Sequence, residues 1–148
     1  MRKLLLLSTL LLILIFPSCS SDSEPQQSVV TARINGVDYI FNTVNVDTET
    51  FTEDEVTYTD VTVTASIDNN PNNRISFIVE QGVLGLDASW YFAYFLDETA
   101  YAKMDGFQTS VTQNTNHKLV GTFAGQVQAD EAPFEIIDIE SGTFNIAY

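Results

Sequence analysis

Residues 30–41 read Val30-Thr31-Ala32-Arg33-Ile34-Asn35-Gly36-Val37-Asp38-Tyr39-Ile40-Phe41. Val30, Ala32 and Ile34 alternate with Thr31 and Arg33. After Asn35-Gly36, Val37, Tyr39 and Phe41 alternate with Asp38 and Ile40. A period of two puts one set of side chains on each face of a strand. Two such runs joined by Asn-Gly are the strongest short-range signal for a β-hairpin. The type I′ turn it predicts needs positive φ at both central residues, which Asn and Gly tolerate.

The same period recurs down the chain. Val61, Val63, Ala65 and Ile67 alternate with Thr62, Thr64 and Ser66, and the polar cluster 68–73 predicts a turn. Ile75, Phe77 and Val79 form the returning strand, and Gly82 and Gly85 bracket a break. Asp47 to Glu55 is acidic and Thr-rich and reads as a loop or ragged edge; Asp97 to Gly106 reads as a connection. Phe107 to Gln113 reads as a strand. Leu119, Gly121, Phe123, Gly125, Val127 and Ala129 mark an inward face whose glycines imply curvature or close backbone approach. Phe134–Ile139 and Gly142–Tyr148 read as two final strands, parted by a bulge or turn at Ser141-Gly142.

Ser89-Trp90-Tyr91-Phe92-Ala93-Tyr94-Phe95-Leu96 is the most apolar stretch after the N-terminal segment. Strict alternation puts Trp90, Phe92, Tyr94 and Leu96 on one face and Tyr91, Ala93 and Phe95 on the other. A strand apolar on both faces is central and covered on both sides, or keeps one face for a groove. About nine short strands and no amphipathic helix predict an all-β fold, an antiparallel β-sandwich or flattened β-barrel. Residues 29–148 are expected to form it as a single domain.

The N-terminus has a different grammar. Arg2 and Lys3 precede Leu4–Phe16, apolar apart from Ser8 and Thr9, and Pro17-Ser18-Cys19 closes the segment. This is the layout of a secretory signal over residues 1–18. The apolar run is short of the ~20 residues a helix needs to cross a bilayer core. Ser20–Ser28 is polar and without periodicity, so 19–28 reads as a flexible tether beginning at the only cysteine.

Phe16-Pro17-Ser18-Cys19 resembles the lipobox of bacterial lipoproteins, in the relaxed form of Bacteroidota. The resemblance implies cleavage before Cys19 and a diacylglycerol on its sulfur. Two plainer readings stay open: Cys19 as an incidental small residue of an ordinary signal, or as a free thiol. Each buried CH₂ contributes about 0.8 kcal/mol, and stable anchoring takes more than one chain, which a diacyl group supplies. Ser20 after the cysteine implies the outer membrane, on its periplasmic or cell-surface face. Ala32-Arg33-Ile34-Asn35-Gly36, Gly121-Thr122-Phe123 and the ending Gly142-Thr143-Phe144-Asn145-Ile146-Ala147-Tyr148 are similar to small Bacteroidota lipoproteins with one β domain of no assigned function. That family supplies no catalytic residues to carry over.

The formal charge is −14, and loss of Arg2 and Lys3 takes it to −16. Nucleic acid is thereby excluded as a partner, since phosphate contact needs a cationic patch. His117, the only histidine, sits in a polar turn beside Lys118 and reads as a surface residue. Zinc lacks ligands, and no cofactor is expected. Glu53-Asp54-Glu55 and Asp68-Asn69-Asn70 offer oxygen donors for calcium, but neither follows the EF-hand spacing, and solvated loops are the simpler reading. The chain is therefore expected to be a membrane-anchored, non-enzymatic binding module for a protein or glycan ligand. Two other readings are carried: a carbohydrate-binding accessory using Trp90, Tyr91 and Tyr94 as an aromatic platform, and a small hydrolase using one of many carboxylate pairs. Core packing is the plainer account of those aromatics.

Overall fold

The computed structural model describes residues 27–148, and the signal segment, Cys19 and most of the tether lie outside them. Ser28, at the tether's end, is not loose: its Oγ donates to the Ala147 carbonyl (2.9 Å) and accepts from the Ala147 amide (3.0 Å).

Eleven strands form one antiparallel sheet: β1 (Val29–Ile34), β2 (Val37–Phe41), β3 (Thr43–Glu53), β4 (Val56–Ile67), β5 (Asn70–Glu80), β6 (Gly85–Leu86), β7 (Ser89–Leu96), β8 (Thr99–Lys103), β9 (Gln108–Thr115), β10 (Lys118–Ala129) and β11 (Ile136–Ala147). The main order is β2-β1-β11-β10-β8-β7-β5-β4-β3, with β9 on β10 and β6 on β9. The sheet does not close into a barrel. It doubles over into a sandwich-like fold, because β10 serves two neighbours along one edge. Lys118–Ala124 pairs with β9, and Val127–Ala129 pairs with β8. The corner falls at Gly125, where a bulge interrupts the pairing with β11 and φ is +136°. A Cβ there would overlap the Phe107 backbone, so only glycine fits.

Tight turns set the registers. Asn35-Gly36, Asp54-Glu55 and Asp68-Asn69 all have positive φ at both positions, as a type I′ hairpin requires. The first was legible from Asn-Gly. The other two place polar residues where a Cβ is tolerated at a cost.

Several expectations are corrected. Of the stretch Asp47 to Glu55, expected as a loop or ragged edge, all but the two turn residues Asp54 and Glu55 belongs to a regular edge strand, β3. Thr48, Thr50 and Thr52 alternate with Asp47, Glu49, Phe51 and Glu53, and Thr50–Thr59 and Thr52–Thr57 hydroxyl pairs join it to β4 (3.0 and 3.2 Å). The period was present, but neither set is apolar. Thr99–Lys103 is a strand within the expected connection, and the 68–73 turn shrinks to two residues. The two expected C-terminal strands are one, β11, bent where Glu140 is skipped in the pairing with β1.

The core is aromatic. Phe77 and Phe92, on neighbouring strands, meet Phe144 and Phe123 from the facing layer at centroid distances of 4.9 and 5.0 Å. Phe107 closes on Phe92 at 4.4 Å. Two glycines make room for the rings. Gly121 is opposite Phe144, and Gly142 is opposite Phe123. A Cβ at Gly121 would overlap the Phe144 ring and the Ser110 carbonyl oxygen. Gly121→Ala is expected to destabilise by about 1–3 kcal/mol through overpacking, seen as a Tm fall of roughly 4–10 °C. An unchanged melting curve would contradict this account of the interlayer packing.

Candidate functional site

The outward face of β3, β4, β5 and β7 is built row by row from the register. Residues directly opposite on neighbouring antiparallel strands share a face, with Cβ atoms ~4.5–5.5 Å apart. One row runs Asp47, Thr62, Ile78, Tyr91. The next runs Glu49, Asp60, Glu80. The third is Phe51 opposite Tyr58, whose rings stack at 5.6 Å. Toward the other end, Thr64, Ser76 and Ala93 make a row of small residues, and the row beyond it holds Ser66, Arg74 and Phe95.

The structure divides the three aromatic candidates. Tyr91 pairs with Ile78, while Val79 pairs with Ser89, so Trp90 is the extra residue of a bulge. The bulge inverts the alternation upstream of it. Ser89 turns inward, and Trp90 joins Tyr91 on the outer face, 58% and 36% exposed. The expected shared face of Trp90, Phe92, Tyr94 and Leu96 is thereby corrected. The two rings lie 6.3 Å apart at 60°, a wedge rather than a flat platform. Tyr94 points inward and is 2% exposed, so it belongs to the core and not to any ligand platform. Its hydroxyl donates to Asn73 Oδ1 at 3.3 Å. Burial, then the neighbouring Tyr39, Tyr101 and Asp97, pushes its pKa up to about 12.

Elsewhere, carboxylates gather at a cleft of about 280 Å³ lined by Glu98, Asp130, Glu131 and Glu135. Glu135 accepts a hydrogen bond from the Tyr101 hydroxyl (3.1 Å), and burial and this bond hold the Tyr101 phenol protonated to higher pH. A second concavity lies along Gln108–Ser110 and Glu140–Thr143, and a third beside Met104 and Phe134. Trp90 and Tyr91 line none of these three. His117 is exposed in the β9–β10 turn. The calcium candidates fall on hairpin ends: Glu53-Asp54-Glu55 closes β3–β4, and Asp68-Asn69-Asn70 closes β4–β5. Among the described residues no three His, Cys, Asp or Glu are grouped to hold a metal ion.

Sequence reading found Trp90 and Tyr91 but missed Phe51, Tyr58 and the carboxylate row, because β3 was not read as a strand. No protein-family model, curated protein or solved structure matches the chain.

Trp90→Ala is expected to change stability by less than about 0.5 kcal/mol, as at a surface position. Phe92→Ala, two residues on, should cost about 3–5 kcal/mol. Comparable losses in urea denaturation would contradict the outward placement of Trp90. Tyr94 binds its proton more tightly folded than unfolded. Its contribution is fully present below pH 10 and is lost as the pH rises through about 12. Denaturation midpoints should fall over that window, and less steeply in Tyr94→Phe.

Proposed function

We propose that this protein is a lipid-anchored lipoprotein of the bacterial outer membrane and a non-enzymatic binding module. Cys19 carries the anchor, and the outer face of β3, β4, β5 and β7 carries the binding surface. One observation supports the binding role above the others: a bulge turns the only tryptophan out of an aromatic core strand and into solvent beside Tyr91. Bulges re-aim side chains at functional positions. Exposed aromatic rings contribute contact area at little cost in side-chain entropy. Anchoring is supported by the lipobox-like Phe16-Pro17-Ser18-Cys19 after the apolar run. The strong negative charge suits a solvated, self-repelling body held above a membrane.

The anchor is tested by intact-mass spectrometry of the full chain made in a lipoprotein-processing bacterium, together with fractionation. The expected results are a diacylglyceryl adduct on Cys19, protein in the membrane fraction, and release of Cys19→Ala to the soluble fraction. An unmodified Cys19 on freely soluble protein would overturn the anchoring half of the proposal.

A further inference from the structure

The outer sheet face presents Trp90, Tyr91, Phe51 and Tyr58 around a polar centre, and it has no covering element in the described chain. Resting on the reading of this face as the binding surface, we propose that its occupant is an extended cationic peptide segment. The Lys or Arg side chains of that segment lie against the aromatic rings and over Glu49, Asp60 and Glu80.

Charge complementarity selects this occupant. Like charges directly opposite on neighbouring strands are unfavourable, and here three stand side by side across three strands. Among the described residues, the chain's own cations are engaged elsewhere. Arg33 pairs with Asp38 and Glu140 (3.5 and 2.9 Å), Lys103 donates to the Ser89 carbonyl (2.9 Å), and Lys118 donates to Asn145. Arg74 shares the face but stands six residues along β5 from Glu80, roughly 20 Å away at strand rise. The carboxylates are spread rather than convergent, which suits several positive charges on an extended chain better than one ion.

The aromatic rows add a second determinant. A guanidinium or ammonium over an aromatic face gains about 0.5–2 kcal/mol. The face already makes one such contact within itself: the Arg74 guanidinium lies 3.8 Å over the Phe95 ring. Phe51–Tyr58 and Trp90–Tyr91 flank the carboxylate row from its two sides and offer the same surface to an incoming cation. At the margin, β3 ends the sheet path and leaves backbone groups open to an extended segment. The hydroxyls of a neutral glycan donate to carboxylates but leave their charge uncompensated, and the Trp90–Tyr91 rings, at 60°, form a wedge rather than a flat stacking surface. Anionic glycans are repelled.

The test uses the full chain in nonionic detergent, with Trp90 as the sole tryptophan reporter. Hexa-arginine is expected to shift Trp90 emission saturably, with affinity falling as salt rises. Combined Glu49→Gln, Asp60→Asn and Glu80→Gln should weaken binding about tenfold, at a fraction of a kcal/mol per surface charge, and should not lower Tm. Asp60→Asn alone repeats the test should the triple variant fail to fold. Neutralising Glu98, Asp130 and Glu131, at the cleft on the other side of β8, should change affinity less than twofold. Equal weakening by both sets would overturn the proposal in favour of bulk charge attraction. Saturable Trp90 response to cellohexaose but not to hexa-arginine would overturn it in favour of a glycan while leaving the binding face intact. No response to either would overturn it together with that face, and none of these outcomes bears on the Cys19 anchor.

Discussion

Two Gly-Thr-Phe triplets, 121–123 and 142–144, pair antiparallel with each other, and the packing of the two layers depends on that pairing. Each phenylalanine faces the other triplet's glycine. With no Cβ beneath them, the Phe123 and Phe144 rings lie down across β10 and β11, 6.4 Å apart and nearly parallel. They then present flat surfaces to Phe77 and Phe92 from the opposite layer. Glycine in a strand costs conformational entropy and leaves a gap. A ring from the neighbouring strand fills that gap, so the weakness of one position is offset by the bulk of its partner. The threonines between them face outward, where Thr143 bonds Thr31 across β1 at 2.8 Å.

Around this centre, bulges decide which residues the protein shows. A register shift at Gly125 turns β10 from one layer into the other, which lets a single strand pair with β9 and then with β8. A skipped residue at Glu140 bends β11 without ending it. The shift at Trp90 has the largest functional consequence. It costs the sheet a paired residue and moves an indole from the core face to the surface. Without it, Trp90 would lie on the core face with Phe92, and Tyr91 would stand on the outer face without its indole neighbour.

The surface therefore combines two features that ordinary sheet design avoids. Large rings are exposed, and carboxylates stand opposite one another with no ion pair to a cation among the described residues. Stability comes from elsewhere: the phenylalanine core, fully buried Val61, Val63, Ile75 and Leu119, and tight two-residue turns. A core of that kind can carry a face arranged for contact, because the cost of the face is local and the core is contiguous. Charge along β3 also guards the sheet's free edge against pairing with a second copy.

From residues alone the all-β character, the first hairpin with its Asn-Gly turn, and the inward sets of β4, β5 and β10 were readable. Each follows from a local period of two set by the alternation of side chains along a strand, or from a turn that only certain residues can adopt. The long edge strand was hidden because threonine alternating with acids gives no hydrophobic contrast. Its hydrogen-bonded partner, not its own pattern, holds it extended. Which strands pair, that the two Gly-Thr-Phe triplets meet, that Tyr94 is buried, and that Trp90 points to solvent were decided by the tertiary structure. A bulge reverses the facing of everything on one side of it, and it exists only relative to the strand opposite. That relation spans the gap between distant segments, so no local reading of either segment contains it.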